Sequence, residues 1–173
     1  MVTSSYTIRP ARADEAEALR EIERAAQQAF AGVGYPAIAA GEPIAAAILQ
    51  AAAKDSLLLA AVDAQDNPVG FAICEEIDGC LYLRELDVHP DHAGQRLGAR
   101  LLDAASDVAR QRRLPALTLT TFRSVPWNAP YYTRLGFVEM GEDEIGPGLT
   151  MVLARQRAAG LDMANRVALR RNA

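Results

Sequence analysis

Apolar residues recur along this chain in two rhythms, and each rhythm predicts a different kind of secondary structure. Short runs rich in Leu, Val, Ile, Ala and aromatic residues, bounded by turn residues, are typical of strands. Such runs occupy residues 6–9, 57–62, 69–75, 80–88, 116–122, 137–140 and 149–154. Longer segments with apolar residues three or four positions apart lie between several of them. The pattern therefore predicts about seven strands interleaved with helices.

The helical segments carry their own start and stop signals. Asp14 and Glu17 have the spacing of a capping box, which predicts that a helix begins there. Glycine and proline within residues 32–36 end it. Its inner face is expected to consist of Leu19, Ile22, Ala26 and Phe30. Further helices are predicted over residues 43–54 and 97–113, with a short tyrosine-bearing helix after residue 122.

The order of these elements is β-α-α-β-β-β-α-β-α-β-β, which predicts an α/β fold with helices on both faces of one mixed sheet. A chain of 173 residues can bury one sizeable core. We therefore expect a single domain over residues 1–155. Residues 156–173 contain many arginines and are expected to form a helical or partly ordered tail of the same domain.

Charge and composition narrow the class of partner. The formal net charge is −4, which argues against a nucleic-acid partner because such partners need a basic face. No apolar run reaches the length of a membrane span, and residues 1–5 do not resemble a signal peptide. These observations favour a cytoplasmic protein without a membrane partner.

The two cysteines flank a turn. Cys74 and Cys80 lie on either side of residues 77–79, which have turn chemistry between two strand-like runs. A disulfide across that hairpin is geometrically conceivable, but reduced thiols are favoured for an intracellular chain. With no histidine nearby they do not indicate a metal site, and no metal is expected.

The most informative stretch runs from Leu86 to Ala99, where a strand-like run passes through a turn into a helix. Backbone N–H groups without partners meet the positive end of the helix dipole at such a point, and both favour phosphate. Gly94 and Gly98 let a ligand approach the backbone closely. Their spacing fits neither the dinucleotide fingerprint nor the P-loop. A turn that merely reverses the chain remains the alternative.

A second segment makes the comparison specific. Val88-His89-Pro90 is followed by the glycine-bearing turn, and Tyr132-Thr133-Arg134-Leu135-Gly136-Phe137 comes about thirty residues later. The pair resembles the GNAT superfamily of acyl-CoA-dependent N-acetyltransferases. In that family V-x-P leads into a [QR]-x-x-G-x-[GA] loop, and a later short helix ends in Y-x-[KR]-L-G-F. The resemblance covers roughly residues 5–155 in element order.

The turn itself matches the family loop in part. Gly98 and Ala99 fit the pattern, whereas Ala93 stands where Gln or Arg is usual and Arg96 stands where Gly is usual. The resemblance implies a mixed, mostly antiparallel sheet of about seven strands, flanked by helices on both faces. It also implies acetyl-CoA as the acyl donor.

The resemblance assigns cofactor contacts to particular positions. The pyrophosphate is expected to accept hydrogen bonds from the backbone of Ala93, Gly94, Gln95, Arg96, Leu97, Gly98 and Ala99. The pantetheine arm would pair with the edge of the strand that ends at Val88. A backbone N–H at Asp87 or Val88 would stabilise the oxyanion. Tyr131 is expected to contact the cofactor, and Asn128 to contact the pantetheine or cap the short helix.

Two side chains are the candidates for proton transfer. Glu85 is the first candidate for the base that deprotonates an amine, directly or through water, with Asp87 as the weaker alternative. An ion pair between Glu85 and Arg84 is the structural alternative. Tyr132 is the candidate acid that protonates the departing thiolate, and a packing role is its alternative. His89 and His92 are interpreted as surface residues.

The acceptor pocket is predicted to be lined by Phe30, Tyr35 and Trp127. The preferred hypothesis is acetyl transfer to a primary amine of a small molecule or peptide, by direct attack in a ternary complex. Two other hypotheses stay open at this point: a catalytically weak acyl-CoA-binding or regulatory protein of the same fold, and a different α/β module that binds another phosphate. A homodimer is also left open.

Overall fold

The computed structural model describes residues 5–173. Seven strands form one mixed sheet in the order β1-β2-β3-β4-β5-β7-β6. The strands are β1 Thr7–Pro10, β2 Leu58–Val62, β3 Pro68–Ile77, β4 Cys80–Val88, β5 Ala116–Phe122, β6 Val138–Glu139 and β7 Arg166–Asn172. The pairs β1–β2, β2–β3, β5–β7 and β6–β7 are antiparallel, whereas β4–β5 is parallel. The predicted mixed, mostly antiparallel sheet of seven strands is confirmed.

Helices flank this sheet. They are α1 Ala16–Gln27, α2 Pro36–Ala39, α3 Ala46–Lys54, α4 Leu97–Gln111, α5 Ala129–Arg134 and α6 Pro147–Ala158. Short 3₁₀ turns include Ala13–Glu15 before α1 and Pro90–His92 before α4. No helix within residues 5–173 is both long and apolar enough to cross a membrane.

The chain divides into two compact units. The first comprises residues 1–74 and 85–105, of which the structure describes 5–74 and 85–105. Its core packs α1 and α3 against β2 and β3. The largest fully buried side chains of that core are Leu19, Leu49, Leu58, Phe71 and Ile73.

The second unit comprises residues 75–84 and 106–173. One of its clusters packs α6 against the sheet, with Leu149 of α6 against Tyr82, Met140 and Ala168. Strands β5 and β7 pair along their whole lengths, from Ala116 opposite Asn172 to Phe122 opposite Arg166. The predicted single domain over residues 1–155 stays a prediction.

Several predicted elements agree closely with the structure. The runs 80–88 and 116–122 are β4 and β5 with the predicted bounds. The first helix begins at Ala16, two residues after Asp14, because residues 13–15 form a 3₁₀ turn. There the carboxylate of Glu15, rather than Glu17, accepts the N–H of Arg12 at 2.7 Å.

The last predicted strand is wrong. Residues 149–154 lie inside α6, which begins at Pro147 directly after Gly146. A short apolar run fits either a strand or a buried helix, so its periodicity could not separate the two. Proline at the first helical position favours the helix that the structure shows.

The helical or partly ordered tail over residues 156–173 is also wrong in its conformation. Residues 156–158 complete α6, and Arg166–Asn172 form β7, which pairs with both β5 and β6. The three arginines of this strand masked its apolar stretch Val167–Leu169, which is buried. The count of seven strands was therefore right, although one of the seven was placed in the wrong segment.

No disulfide links Cys74 to Cys80, and both residues are buried. The structure thus contains the reduced form that the sequence favoured.

Candidate functional site

The end of β4 is held close to β3. A Cβ atom at Gly70 of β3 would lie 2.9 Å from the carbonyl oxygen of Asp87 and 3.2 Å from Cγ2 of Val88. The N–H of His89 donates to the carbonyl of Val69 at 2.8 Å. Only glycine at position 70 therefore permits this approach, which fixes the backbone of the residues predicted to meet the thioester.

Two histidines form polar contacts that stabilise the turn after β4. Nδ1 of His89 accepts the N–H of Asp91 at 3.2 Å and caps the 3₁₀ turn. Nδ1 of His92 lies 3.0 Å from the hydroxyl of Tyr6. Both histidines, interpreted above as surface residues, are half-buried, and these contacts hold the turn in place.

The glycine-bearing turn presents its backbone to solvent. Residues 93–96 are exposed, while Leu97 and Gly98, the first residues of α4, are buried. Within residues 5–173, no side chain accepts a hydrogen bond from the N–H groups of residues 97–99. An exposed turn with open N–H groups at a helix N-terminus is suited to bind an anion such as phosphate.

Two residues of this turn have left-handed backbone conformations. The φ angle is 76° at Gly94 and 58° at Arg96. A residue with a Cβ is strained there by about 1 kcal/mol. Arg96, which stands where the family pattern has Gly, thus adopts a conformation that glycine adopts without strain. Such strain is typical of ligand-binding turns.

Acidic side chains accompany the end of β4. Burial, together with the negative charges of Glu85 and Glu23, raises the pKa of Asp87 well above its usual range. Glu23 of α1 is only 7% exposed, and its carboxylate accepts the N–H of Ile44 at 2.9 Å. Sequence reasoning missed Glu23. Its position next to Ile22 and four residues after Leu19, on the buried side of the helix, is the signal that could have found it.

Helix α5 of the second unit positions the tyrosine pair. Tyr132 is 8% exposed, and its ring contacts the rings of Tyr131 and Phe137 with centroids 5.6 Å and 5.5 Å away. Its N–H donates to the carbonyl of Asn128 at 3.0 Å. The side chain of Asn128 makes no capping hydrogen bond to α5 within the described chain. Of the two roles expected for Asn128, the side-chain cap is therefore wrong.

The predicted acceptor residues divide between the units. Phe30 and Tyr35 are half-buried in the first unit, near the end of α1 and the start of α2. Trp127 belongs to the second unit and is 39% exposed. The first unit brings Glu85, Asp87 and Val88 into one strand with the turn at 93–99 after it. Asn128, Tyr131 and Tyr132 lie together in the second.

Comparison with known proteins identifies the class to which this arrangement belongs. The sequence profile of the Acetyltransferase (GNAT) family matches residues 16–137. The match covers more than half of the chain and contains both the glycine-bearing turn and the tyrosine helix. This chain therefore belongs to the GNAT acetyltransferase family.

Solved structures agree in fold. The PaiA N-acetyltransferase of Thermoplasma acidophilum, in complex with coenzyme A, is similar with a TM-score of 0.70 and 17% identity over 98% of this chain and 99% of that one. A GNAT acetyltransferase of Staphylococcus aureus gives 0.71 and 15% over 97% and 99%. The ribosomal-protein-S18-alanine N-acetyltransferase of Escherichia coli gives 0.62 and 18% over 97% and 94%. At these identities the matches show a shared fold.

Proposed function

We propose that this protein transfers the acetyl group of acetyl-CoA to a primary amine of a small molecule or peptide, by direct attack in a ternary complex. The observation that carries the proposal is the exposed turn at residues 93–96, which leads directly into the N-terminus of α4 at Leu97. Membership of the GNAT family supports it, as does the coenzyme A in the similar PaiA structure.

The turn would hold the pyrophosphate. Backbone N–H groups from Ala93 to Ala99 would donate to its oxygens, and the exposed guanidinium of Arg96 would add positive charge. Strand β4 pairs with β5 at Leu81 and Tyr82, and its last residues, Glu85–Val88, continue beyond those pairs. The backbone there would pair with the amide-rich pantetheine arm, with Asn128 and Tyr131 as further contacts.

Bound acetyl-CoA supplies an activated acetyl group as a thioester. The N–H of Asp87 or Val88 would donate to the carbonyl oxygen as negative charge develops on it. The close contact between Gly70 and Asp87 supports this role, because an oxyanion donor must be held in place before the reaction.

A base must remove a proton from the amine, since amines are mostly protonated at neutral pH. Glu85 is the proposed base, acting directly or through water. Asp87 is the alternative, and its raised pKa supports that alternative because proton acceptors work best with a pKa near the working pH. Phe30, Tyr35 and Trp127 are proposed as contacts of the acceptor.

Tyr132 is the proposed acid. A phenol ordinarily keeps its proton at neutral pH and can donate it to a departing thiolate. The burial of Tyr132 against Phe137 also fits a packing role, so a direct test must separate the two.

The experiment is an assay of free thiol release from acetyl-CoA with a panel of amines: a polyamine, an aminoglycoside, free lysine and a peptide with a free N-terminus. We expect one class to be acetylated, and Tyr132→Phe to lower kcat by roughly 10²-fold while acetyl-CoA still binds. Tyr131→Phe is the matched control. Tight binding of acetyl-CoA without thiol release for any amine would instead support a catalytically weak acyl-CoA-binding protein.

A further inference from the structure

The second unit contains a cavity of about 370 Å³ between the sheet and the start of α6. Its walls come from β3, β4, β5, β7, α6 and the segment between β6 and α6. None of the residues proposed above for acyl donor, acceptor or catalysis lines it. The volume is in the range of small-molecule sites.

Two hydrogen-bond donors face this cavity from neighbouring strands. Thr118 of β5 lies directly opposite Arg170 of β7, so the two side chains share one face of the sheet. Thr118 is 2% exposed, and among residues 5–173 its Oγ1 has no hydrogen-bond partner. Buried hydroxyl groups are nearly always paired, which marks this one as a group that a ligand could satisfy.

Arg170 has a weak partner. Its guanidinium donates to Sγ of Cys80 at 3.6 Å, and a thiol sulfur is a poor acceptor. Within the described residues no carboxylate forms a salt bridge with Arg170. A half-buried guanidinium without a carboxylate is unusual, because buried charges are normally paired.

The other charged groups of the cavity limit the ligand's charge. Both oxygens of Asp78 accept N–H groups of α6, from Gly148 and Leu149 at 2.8 Å each. Glu144 also lines the cavity, and its Oε2 accepts the N–H of Gly141 at 2.7 Å. Both carboxylates already accept backbone N–H groups, and the single guanidinium can balance one negative charge, so the cavity suits a singly charged anion better than phosphate.

We propose that this cavity binds a small monocarboxylate with a short apolar body. Its carboxylate accepts hydrogen bonds from Arg170 and Thr118, and its carbon chain contacts Ile77, Met140 and Leu149, which supply the apolar wall. The proposal does not rest on the acetyl-transfer function, since it uses none of the residues assigned to that function.

The test is a titration of the full chain, labelled at its Ile, Leu and Met methyl groups, followed by NMR. Butyrate is the probe, and butylamine, which lacks the carboxylate, is its control. We expect saturable shifts at Ile77, Met140 and Leu149, none at Leu19 in the core of the first unit, and no response to butylamine. 2-Aminobutyrate distinguishes the two possible sources of the carboxylate. If it binds more tightly than butyrate, the natural ligand is a free amino acid; if it binds more weakly, the ligand is a simple carboxylic acid.

Matched variants locate the binding. Thr118→Val replaces an unpartnered hydroxyl with a methyl group, so the fold should be at least as stable, while the Kd for butyrate rises about tenfold. Arg170→Met should abolish binding, and Arg155→Met, an exposed arginine of α6, should leave it unchanged. Should Arg170→Met not fold, Thr118→Val decides. The proposal is overturned by the absence of saturable shifts, or by an unchanged Kd in Thr118→Val.

Discussion

A helix N-terminus lies near each end of strand β4: that of α6 near its start and that of α4 after its end. The N–H groups of these two helix N-termini differ in their hydrogen-bond partners. Where β4 begins, the turn at residues 77–79 places Asp78 against the start of α6, and the carboxylate accepts two of its N–H groups. Where β4 ends, no side chain within residues 5–173 accepts from the first N–H groups of α4. The acid at that end, Asp87, instead meets the like charges of Glu85 and Glu23. Helix N–H groups therefore meet a carboxylate at the start of β4, and within residues 5–173 they meet none at its end.

The glycines at the two ends differ in the same way. At α6, a Cβ on Gly146 would lie 2.6 Å from Cγ of Asp78, and one on Gly148 would lie 2.5 Å from Cγ2 of Ile77. At the turn before α4, a Cβ on Gly94 would have no atom within 4 Å, but the φ angle of Gly94 is 76°. Glycine provides space for the chain's own carboxylate in one region and an open, left-handed turn in the other. Local rules of helix capping are satisfied at the start of α6 and left unsatisfied at the turn where acetyl-CoA is expected.

The largest effect is expected when an acid is placed at the N-terminus of α4. Ala99→Glu places a carboxylate in the first turn of α4, where acids stabilise helices. We expect the melting temperature to stay the same or rise. The Kd for acetyl-CoA, measured by calorimetry, should rise by about 100-fold, because the carboxylate would occupy the position of the pyrophosphate and repel its negative charge. Ala154→Glu, on the exposed face of α6, is the control for added charge. Binding like that of the parent would show that phosphate is held elsewhere.

The open end of β4 was predictable from the sequence because its signals are local. The run 80–88, the turn after it and the periodicity of α4 lie within about thirty residues, and turn chemistry marks their boundaries. The paired end was not predictable in this way. Asp78 and Gly148 are 70 residues apart, and no local signal near residue 149 identifies Asp78 as the cap of the helix that begins there.

The charges that surround Asp87 could not be predicted from the sequence either. Glu85 and Asp87 were placed on one face by strand alternation, but the influence of Glu23 on Asp87 depends on the packing of α1. The strand β7 needed the same kind of information, because its arginines find their places only in the folded second unit. Arg171 is an example, since its guanidinium contacts the hydroxyl of Ser106 and the ring of Phe137.

Two glycine-to-alanine substitutions separate the cost of steric overlap from the cost of backbone strain. Gly148→Ala should lower the free energy of unfolding by about 2 kcal/mol, because its Cβ would overlap Ile77 and Asp78. Gly94→Ala should lower it by about 1 kcal/mol, the cost of a left-handed alanine with open space around it. Urea denaturation measures both. Equal losses would mean that the crowding at α6 relaxes and the contrast between the regions is smaller than the geometry indicates.

Removing the Asp78 cap of α6 tests the start of β4 alone. Asp78 has a left-handed φ of 52°, so Asp78→Gly removes the carboxylate without adding backbone strain. We expect a loss of about 1 to 2 kcal/mol in unfolding free energy, typical of a lost helix cap, with an unchanged Kd for acetyl-CoA. Asp78→Asn, which keeps one acceptor oxygen, should lose less. A weakened affinity for acetyl-CoA in Asp78→Gly would contradict the assignment of this end to stability.

The smallest expected effect, and one of opposite sign, is at Asp87. Its pKa is raised in the folded protein, chiefly by burial, so the folded state holds the proton more tightly than the unfolded state does. Stability is therefore lost as pH rises from the ordinary carboxyl pKa through the raised one, and the ionised group lowers the free energy of unfolding above that window. Asp87→Asn should raise the stability by about 1 kcal/mol at neutral pH. The difference should shrink as pH falls from the raised pKa towards the ordinary carboxyl pKa, because the folded and unfolded states of the parent are then both protonated. Urea denaturation across this pH range measures it, with Asp91→Asn in the exposed turn as the control. A constant difference at every pH would show that the gain comes from packing rather than from the uncompensated charge.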